Sequence, residues 1–295
     1  MEVFLTGATG YIGSAVAKAL QDAEHKVSGL ARTAEKAKQL EARRVRASLG
    51  DLLKPEGVAA MAGASDGVIH TANTNDANSA QTDKAVVRAI LKTLEGIGKP
   101  FLYTSGVWVL GSTGDNVADE RTPVNPTPLV SQRPVIEEEV LGYKGHGVRT
   151  IVIRPAIVSG RGGGLLKMFT QSAKETGAAR YIGDGQNRWA FVDVDDLAQL
   201  YVLALEKAPP GSLYNAAHGP AYLVHEIAEA ASIGAGAKGK TQALPLEEAR
   251  KTMGAFADAL VLDQQVSGEK AKKELGWSPR AVSVLEDLKT GSYLR

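Results

Sequence analysis

Residues 3–13 read Val-Phe-Leu-Thr-Gly-Ala-Thr-Gly-Tyr-Ile-Gly, an apolar run that leads through three spaced glycines into a helical pattern. Such a turn suits a dinucleotide, because the first glycine permits the tight turn and the second lets the backbone approach a pyrophosphate. The third glycine lets the helix pack closely on the strand. The stretch therefore predicts a dinucleotide-binding site, with contacts at Gly7, Thr9, Gly10, Tyr11 and Ile12.

Apolar, strand-like runs and helical patterns alternate through the first half of the chain. Strands are predicted at residues 26–31, 67–70, 101–104 and 150–153, and the longest helix at 79–96. This alternation favours parallel βαβ units with helices on both faces of one sheet. The predicted fold class is α/β, a Rossmann-type, doubly wound parallel sheet.

The pattern changes after residue 155. Residues 160–164 read Gly-Arg-Gly-Gly-Gly, a flexible loop, and helices are predicted at 165–176, 195–207, 221–233 and 246–253. We expect residues 1–160 to form a nucleotide-binding core that is completed by about residues 190–217. Residues 161–295 are expected to form a small, mostly helical, substrate-binding cap that is interleaved with the core.

Composition excludes several classes of function. The 295 residues carry 34 Lys and Arg against 33 Asp and Glu, so a net charge of +1 provides no basic field for nucleic acid. The absence of cysteine excludes disulfides and thiolate nucleophiles, and five scattered histidines lack ligand spacing, so no metal is expected. No apolar run is long enough to span a membrane. We expect a cytoplasmic protein that acts on a small molecule.

The end of the second predicted strand should select the ribose of the cofactor. Arg32 and Thr33 follow that strand, and no acidic residue appears before Glu35. Arginine can hold a 2′-phosphate through two N–H groups, whereas NAD sites place a carboxylate on the 2′-hydroxyl. The sequence therefore favours NADP(H) over NAD(H), with an ordinary surface arginine as the alternative.

Other strand ends supply further candidate contacts to the cofactor, because the carboxyl ends of parallel strands meet at one edge of a sheet. Asp51 follows the third strand region, where its side chain can meet the adenine amino group; an acidic turn residue is the alternative. The candidates at these strand ends are Asp51, Leu52, Ala72, Asn73, Thr104 and Pro155.

Six motifs in chain order resemble the extended or atypical short-chain dehydrogenase/reductase superfamily, in its epimerase/dehydratase-like branch. They are residues 6–13 (Thr-Gly-Ala-Thr-Gly-Tyr-Ile-Gly), 68–72 (Val-Ile-His-Thr-Ala), 103–106 (Tyr-Thr-Ser-Gly), 153–155 (Ile-Arg-Pro), 192–198 (Val-Asp-Val-Asp-Asp-Leu-Ala) and 274–279 (Glu-Leu-Gly-Trp-Ser-Pro). The resemblance implies a nicotinamide dinucleotide and a catalytic Tyr-x-x-x-Lys pair with an upstream Ser or Thr. In that chemistry the tyrosine moves a proton as hydride is transferred.

The sequence departs from the superfamily at all three catalytic positions. Gly106 stands at the hydroxyl position, Leu129 at the tyrosine and Arg133 at the lysine. A guanidinium cannot cycle a proton at neutral pH, so Arg133 is expected to clamp the cofactor or substrate; a solvated helix arginine is the alternative. Ser105 can present a hydroxyl to the substrate, with a turn-capping serine as the alternative. Ser105 and Arg133 are the predicted catalytic residues.

Three residues are predicted to contact the substrate. Trp108 follows the fifth strand and can either stack on a flat substrate or plug the core. Tyr181 and Arg188 precede the predicted helix at 195–207. The resemblance implies an arginine near this point for a substrate phosphate, but Arg188 lies about one residue off that pattern.

The predicted helix at 131–143 is relevant to whether the protein forms a dimer. The resemblance implies that dimers form through helices at 79–96 and 131–143. Pro134 and Gly142 are expected to break the second helix, so a monomer and a homodimer both remain open. Glu137-Glu138-Glu139 is expected to form a solvated face of this helix.

Three functions remain open from the sequence. The favoured one is an atypical NADP-dependent reductase of a small carbonyl, imine or activated alkene, because the glycine turn and Arg32 suit NADP(H). The missing Tyr-x-x-x-Lys pair favours an isomerase, epimerase or cyclase that uses the nucleotide without net turnover. The third function is an NADP(H)-binding redox sensor that catalyses nothing.

Overall fold

The computed structural model describes residues 1–294 and shows fifteen strands in that part of the chain. The strands are β1 Glu2–Thr6, β2 Lys26–Ala31, β3 Arg46–Leu49, β4 Gly67–His70, β5 Pro100–Thr104, β6 Val117–Ala118, β7 Arg149–Pro155, β8 Ile157–Ser159, β9 Ala179–Ile182, β10 Arg188–Trp189, β11 Phe191–Asp193, β12 Ser212–Ala216, β13 Tyr222–Leu223, β14 Thr241–Leu244 and β15 Gln265–Val266. Seven of them form one parallel sheet in the order β12-β7-β5-β4-β1-β2-β3. The strand order reverses between β1 and β4, and ligands bind such sheets outside the carboxyl ends at this point.

Twelve α-helices connect or flank these strands within residues 1–294. They are α1 Tyr11–Asp22, α2 Ala34–Glu41, α3 Pro55–Gly63, α4 Ser79–Leu94, α5 Arg133–Gly142, α6 Lys167–Thr176, α7 Val194–Lys207, α8 Val224–Gly234, α9 Leu246–Met253, α10 Ala255–Leu260, α11 Glu269–Leu275 and α12 Val284–Thr290. Every helix in this range falls short of the length and apolarity needed to cross a bilayer.

The buried strands direct alternate side chains into two separate apolar layers. Val3 and Leu5 of β1 pack with α1 and α7 on one face of the sheet. Phe4, between them, packs with α3, α4 and α5 on the other face. Helices on both faces of a parallel sheet confirm the predicted doubly wound α/β fold.

A third apolar cluster lies outside these two layers and draws on α6, α8, α9, α10 and α12. Short strand pairs accompany it, parallel for β9 with β14 and antiparallel for β10 with β13. The division into a core at 1–160 and a substrate-binding cap at 161–295 stays a prediction.

The boundaries of most predicted elements agree with the structure. The helix predicted at 246–253 is α9, and the helix predicted at 79–96 is α4. The helix predicted from residue 221 starts later, because Tyr222 and Leu223 pair with Trp189 and Arg188 before α8 begins.

Two predictions about α5 were wrong. Pro134 does not break the helix, because it lies in the first turn, where its missing N–H removes no hydrogen bond. Glu137 is not solvated. It is 2% exposed, and its carboxylate accepts hydrogen bonds from Nε of Arg154 (to Oε1, 2.9 Å) and from Nη2 of the same buried guanidinium. Its neighbour Glu138 is exposed, as predicted.

Candidate functional site

The glycine turn between β1 and α1 leaves no room for side chains at two of its glycines. Gly7 has a φ of +76°, and a Cβ on Gly13 would lie 2.1 Å from the carbonyl oxygen of Gly7. The amide of Gly10 donates to that same oxygen at 2.8 Å. Gly10 is also the N-cap of α1, and no side-chain hydrogen bond caps this helix in the described chain. The first N–H groups of α1 are therefore available to an anion, and the turn fits a pyrophosphate.

The residues predicted to contact the ribose and the adenine follow β2 and β3. Arg32 is exposed and makes no hydrogen bond or ion pair within residues 1–294. Thr33 caps α2 by accepting a hydrogen bond from the amide three residues on, at 3.2 Å. Asp51 accepts one from the amide two residues on, at 3.0 Å, and Leu52 packs against the apolar layer around Phe4. Arg32 is thus free to bind a ligand, whereas the side chains of Thr33 and Asp51 already accept hydrogen bonds from backbone amides.

A cavity of about 700 Å³ opens at the carboxyl ends of the central strands. Seven residues predicted for three different roles line it: Tyr11, Ile12, Asn73, Ser105, Trp108, Arg133 and Pro155. Ala72 lies beside Gly7, where its amide limits the space for a side chain on that glycine. Thr104 does not line the cavity, because its hydroxyl bonds to the Tyr201 hydroxyl of α7 at 2.6 Å.

Ser105 and Arg133 meet at this cavity from different elements. The Ser105 amide donates to the Ile153 carbonyl at 2.8 Å, which extends the pairing of β5 with β7 by one residue. The Ser105 hydroxyl is buried and has no hydrogen-bond partner within residues 1–294. Arg133 starts α5, and its Nη1 donates to the Thr104 carbonyl at 2.8 Å. Burying a hydroxyl without a hydrogen-bond partner costs free energy of folding unless a ligand or a water molecule supplies that hydrogen bond. The Ser105 hydroxyl is therefore available to a bound molecule.

A buried polar network behind β4 and β5 was not predicted from the sequence. The Nδ1 atom of His70 shares a hydrogen bond with the Thr6 hydroxyl at 2.8 Å. Its Nε2 atom shares another with the Asp83 carboxylate at 2.9 Å. Tyr103 donates to the other Asp83 oxygen at 2.6 Å. Burial alone would raise the pKa of Asp83, yet the hydrogen bonds from His70 and Tyr103 and the charge of Arg133 hold that pKa below its usual range. Its stabilising contribution is present above the unfolded pKa and is lost as pH falls.

One signal for this network was present in the sequence. Asp83 stands on α4 at helical spacing from Val86, Val87 and Ile90, which form the apolar face of the helix. A carboxylate on such a face requires a buried partner.

Tyr11 has a role that the glycine motif does not indicate. Its hydroxyl donates to the Gly160 carbonyl at 2.7 Å, and its ring lies against Gly163 and Gly164. The Tyr293 hydroxyl accepts from the Gly160 amide at 3.0 Å and donates to the Gly163 carbonyl at 2.8 Å. Burial raises the pKa of Tyr11 above its usual range, so this phenol stays a hydrogen-bond donor. Tyr11 therefore holds the glycine loop at 160–164 against the glycine turn.

The structure does not bring two of the three predicted substrate contacts to the cavity. Tyr181 lies in β9 and packs with the cluster outside the central sheet. Arg188 is bound by Asp263, through Nε at 2.9 Å and Nη2 at 2.7 Å, and by Asp115 at 3.1 Å. This correction has an electrostatic cause, since two carboxylates already neutralise the guanidinium that was expected to hold a substrate phosphate.

The glycine turn, the parallel sheet and the cavity at the ends of its strands define a Rossmann-type protein. Residues 3–217 match the model of the NAD dependent epimerase/dehydratase family, and the chain belongs to that family.

Three proteins illustrate the similarity. The chain is 34% identical to an uncharacterized protein of Saccharomyces cerevisiae, over the whole of both chains. It is 27% identical to the 2-alkyl-3-oxoalkanoate reductase of Stenotrophomonas maltophilia, covering 76% of this chain and 70% of the reductase. The UDP-glucose 4-epimerase of Thermus thermophilus, solved as a complex with NAD, superimposes with a TM-score of 0.83 over 100% of this chain and 99% of the epimerase, at 20% identity. This last likeness shows the fold alone.

Proposed function

We propose that the protein is an NADP(H)-dependent reductase of a small carbonyl, imine or activated-alkene compound. The proposal rests on one arrangement, a glycine turn that fits a pyrophosphate beside a cavity in which the buried Ser105 hydroxyl has no partner. When bound, a nicotinamide dinucleotide supplies the hydride for such a reduction. The similarity to a reductase over most of the chain supports this class of reaction.

Ser105 and Arg133 have separate roles in this proposal. The Ser105 hydroxyl donates a hydrogen bond to the substrate oxygen and stabilises the negative charge that develops there. Arg133 uses one N–H group on the Thr104 carbonyl, and its other donors hold a ribose or substrate oxygen. The proton that completes the product comes from solvent water, since Arg133 cannot release one at neutral pH.

Replacing Ser105 by alanine tests the reaction itself. We expect the wild-type protein to consume NADPH in the presence of a carbonyl substrate, and Ser105→Ala to lower kcat/KM by about 10²-fold, because it removes a donor to the developing oxyanion. The loss of NADPH absorbance measures the rate. Ser131→Ala is the control, since its exposed hydroxyl donates to the Pro128 carbonyl and lies outside the cavity lining. A broad carbonyl panel without NADPH consumption contradicts the reductase.

Replacing Arg32 by alanine tests the choice of nucleotide. A guanidinium on the 2′-phosphate forms hydrogen bonds between charged groups, each contributing about 1.5–3 kcal/mol, so we expect NADPH affinity to fall by about 10- to 100-fold and NADH affinity to stay unchanged. Calorimetric titration with NADPH, NADP, NADH and NAD measures both. The control is Arg43→Ala, which removes an equal charge from a groove that includes residues at the amino ends of β1 and β2. Equal affinity of the wild-type protein for all four nucleotides contradicts a preference for NADP(H).

A second candidate is an isomerase, epimerase or cyclase that uses the nucleotide without net turnover. It is favoured by Leu129 and Arg133, which line the cavity at the positions where the resemblance implies tyrosine and lysine. Conversion of a substrate at constant NADPH absorbance distinguishes this candidate from the reductase.

A further inference from the structure

One wall of the cavity is aromatic and is built from two distant parts of the chain. Trp108 lies in the short 3-10 turn after β5, and Phe256 lies in α10. Their ring centroids are 6.0 Å apart with an interplanar angle of 64°, the edge-to-face arrangement that aromatic pairs prefer. Both residues are only partly buried, and both line the cavity.

Further apolar side chains lie beside this pair in the lining. Helix α10 packs against the turn at Pro128–Val130, which places Leu129 and Val130 next to the aromatic wall. Four more apolar residues line the cavity, Val107, Ile157, Val158 and Leu165, together with polar residues that include Asn73, Asn75, Ser79 and Gln132. The apolar part of this lining can hold a flat apolar ring.

The charges around the cavity do not favour an anionic substrate. Its described lining contains one cation, Arg133, and one carboxylate, Asp76. The buried carboxylate of Asp83 interacts with Arg133 from behind the sheet and offsets its charge further. Arg188 is held by Asp263 and Asp115 outside this lining. With one cation and one carboxylate, this lining has no net positive charge that would attract an anionic substrate.

We infer that the substrate is a flat, uncharged aromatic carbonyl compound, bound against Trp108 and Phe256 with its oxygen on the Ser105 hydroxyl. This inference rests on the proposed function. In the reaction, hydride from NADPH adds to the carbonyl carbon, the C=O π bond becomes a C–O single bond, and solvent water supplies the proton. NADPH is oxidised to NADP⁺ as the carbonyl is reduced to an alcohol. Phe256 is the specificity-determining residue, since it contacts the substrate ring and no reacting atom.

Binding without turnover is the first test, because it does not depend on the reductase activity. Trp189 and Trp277 are 3% and 2% exposed, so the half-buried Trp108 is the tryptophan whose fluorescence a cavity ligand can quench. We expect benzaldehyde to quench the emission of the wild-type protein, and this quenching to disappear in Trp108→Phe. Cyclohexanecarbaldehyde, a saturated ring of similar size, and phenylglyoxylate, an anionic aromatic, should bind at least about 5-fold more weakly by calorimetry. Equal or tighter binding of either overturns the inference, whether or not any NADPH is consumed.

The second test measures turnover and asks whether Phe256 determines specificity for an aromatic substrate. Aromatic pairing contributes about 0.5–1.5 kcal/mol beyond area burial, so Phe256→Leu should raise the KM for benzaldehyde by about 2- to 12-fold more than the KM for cyclohexanecarbaldehyde. Met253→Ala, at the end of the neighbouring helix and outside the cavity lining, should change neither KM. If Phe256→Leu changes the KM for both aldehydes equally, the inference of an aromatic substrate is overturned, but the proposed reductase activity is not. Absence of turnover with every aldehyde contradicts the reductase, and the quenching experiment then decides the inference alone.

Discussion

Replacing Glu137 by alanine is expected to lower the free energy of unfolding by about 3–5 kcal/mol. The substitution leaves the guanidinium of Arg154, 4% exposed, without its carboxylate partner. The cost arises from this uncompensated charge rather than from the loss of a favourable pair, because burying two ions already requires their desolvation. Denaturant unfolding of the purified variant measures the change.

Two further variants are the controls for this prediction, one in helix α5 and one that also changes Arg154 of β7. Glu138→Ala removes a neighbouring exposed carboxylate and should change the free energy of unfolding by less than about 0.5 kcal/mol. The double variant Glu137→Leu with Arg154→Met removes both charges and should recover most of the stability lost in Glu137→Ala. A loss below about 1 kcal/mol in the single variant would show that the pair is hydrated in solution.

Replacing Gly13 by alanine is expected to damage both stability and nucleotide binding. The new Cβ would lie 2.1 Å from the Gly7 carbonyl oxygen and 2.6 Å from its carbon, and backbone atoms cannot rotate away as a side chain can. We expect α1 to shift from the glycine turn, with a loss of about 1–3 kcal/mol in the free energy of unfolding. Because the first amides of α1 are the groups predicted to hold the pyrophosphate, affinity for NADPH should fall by about tenfold or more. Thermal unfolding and calorimetry measure the two effects.

Gly57 provides a matched glycine for comparison. It lies within α3, and a Cβ added there would meet nothing within 4 Å. Gly57→Ala should therefore stabilise the protein by about 0.5–1 kcal/mol and leave NADPH affinity unchanged. Unchanged nucleotide affinity in Gly13→Ala would mean that the cofactor does not use this turn.

The two halves of the site differ in how closely they keep the pattern of the superfamily that the chain resembles. The nucleotide half retains the glycine turn, with its uncapped helix and its unpaired Arg32 nearby. The half that is predicted to carry the chemistry has Leu129 and Arg133 on the cavity, and the unpaired Ser105 hydroxyl is the donor proposed for it. This protein can therefore bind the dinucleotide whether or not it reduces a substrate. The proposed experiments test binding and reaction separately.

The sequence by itself determined the sheet, the helices on both faces and the glycine turn. These features depend on interactions between near neighbours along the chain. The continuous apolar run of β1, the helical periodicity in α4 and α7, and the steric freedom of Gly7 each lie within a few residues, so local patterns predict them. The same reasoning placed Ser105 and Trp108 near one edge of the sheet, because parallel strands end together, whereas Arg133 was placed there only by the resemblance.

Only the tertiary structure decided which polar groups are buried together and which residues complete the cavity. Glu137 occurs in a run of three acids that periodicity assigns to solvent, yet Arg154 of β7 lies opposite it. Tyr11 bonds to Gly160, 149 residues away, and Phe256 reaches the cavity from α10. A pattern along the chain specifies which face of an element is apolar. It carries no information on which distant charge, carbonyl or ring faces a given side chain, because those contacts arise only when the elements pack.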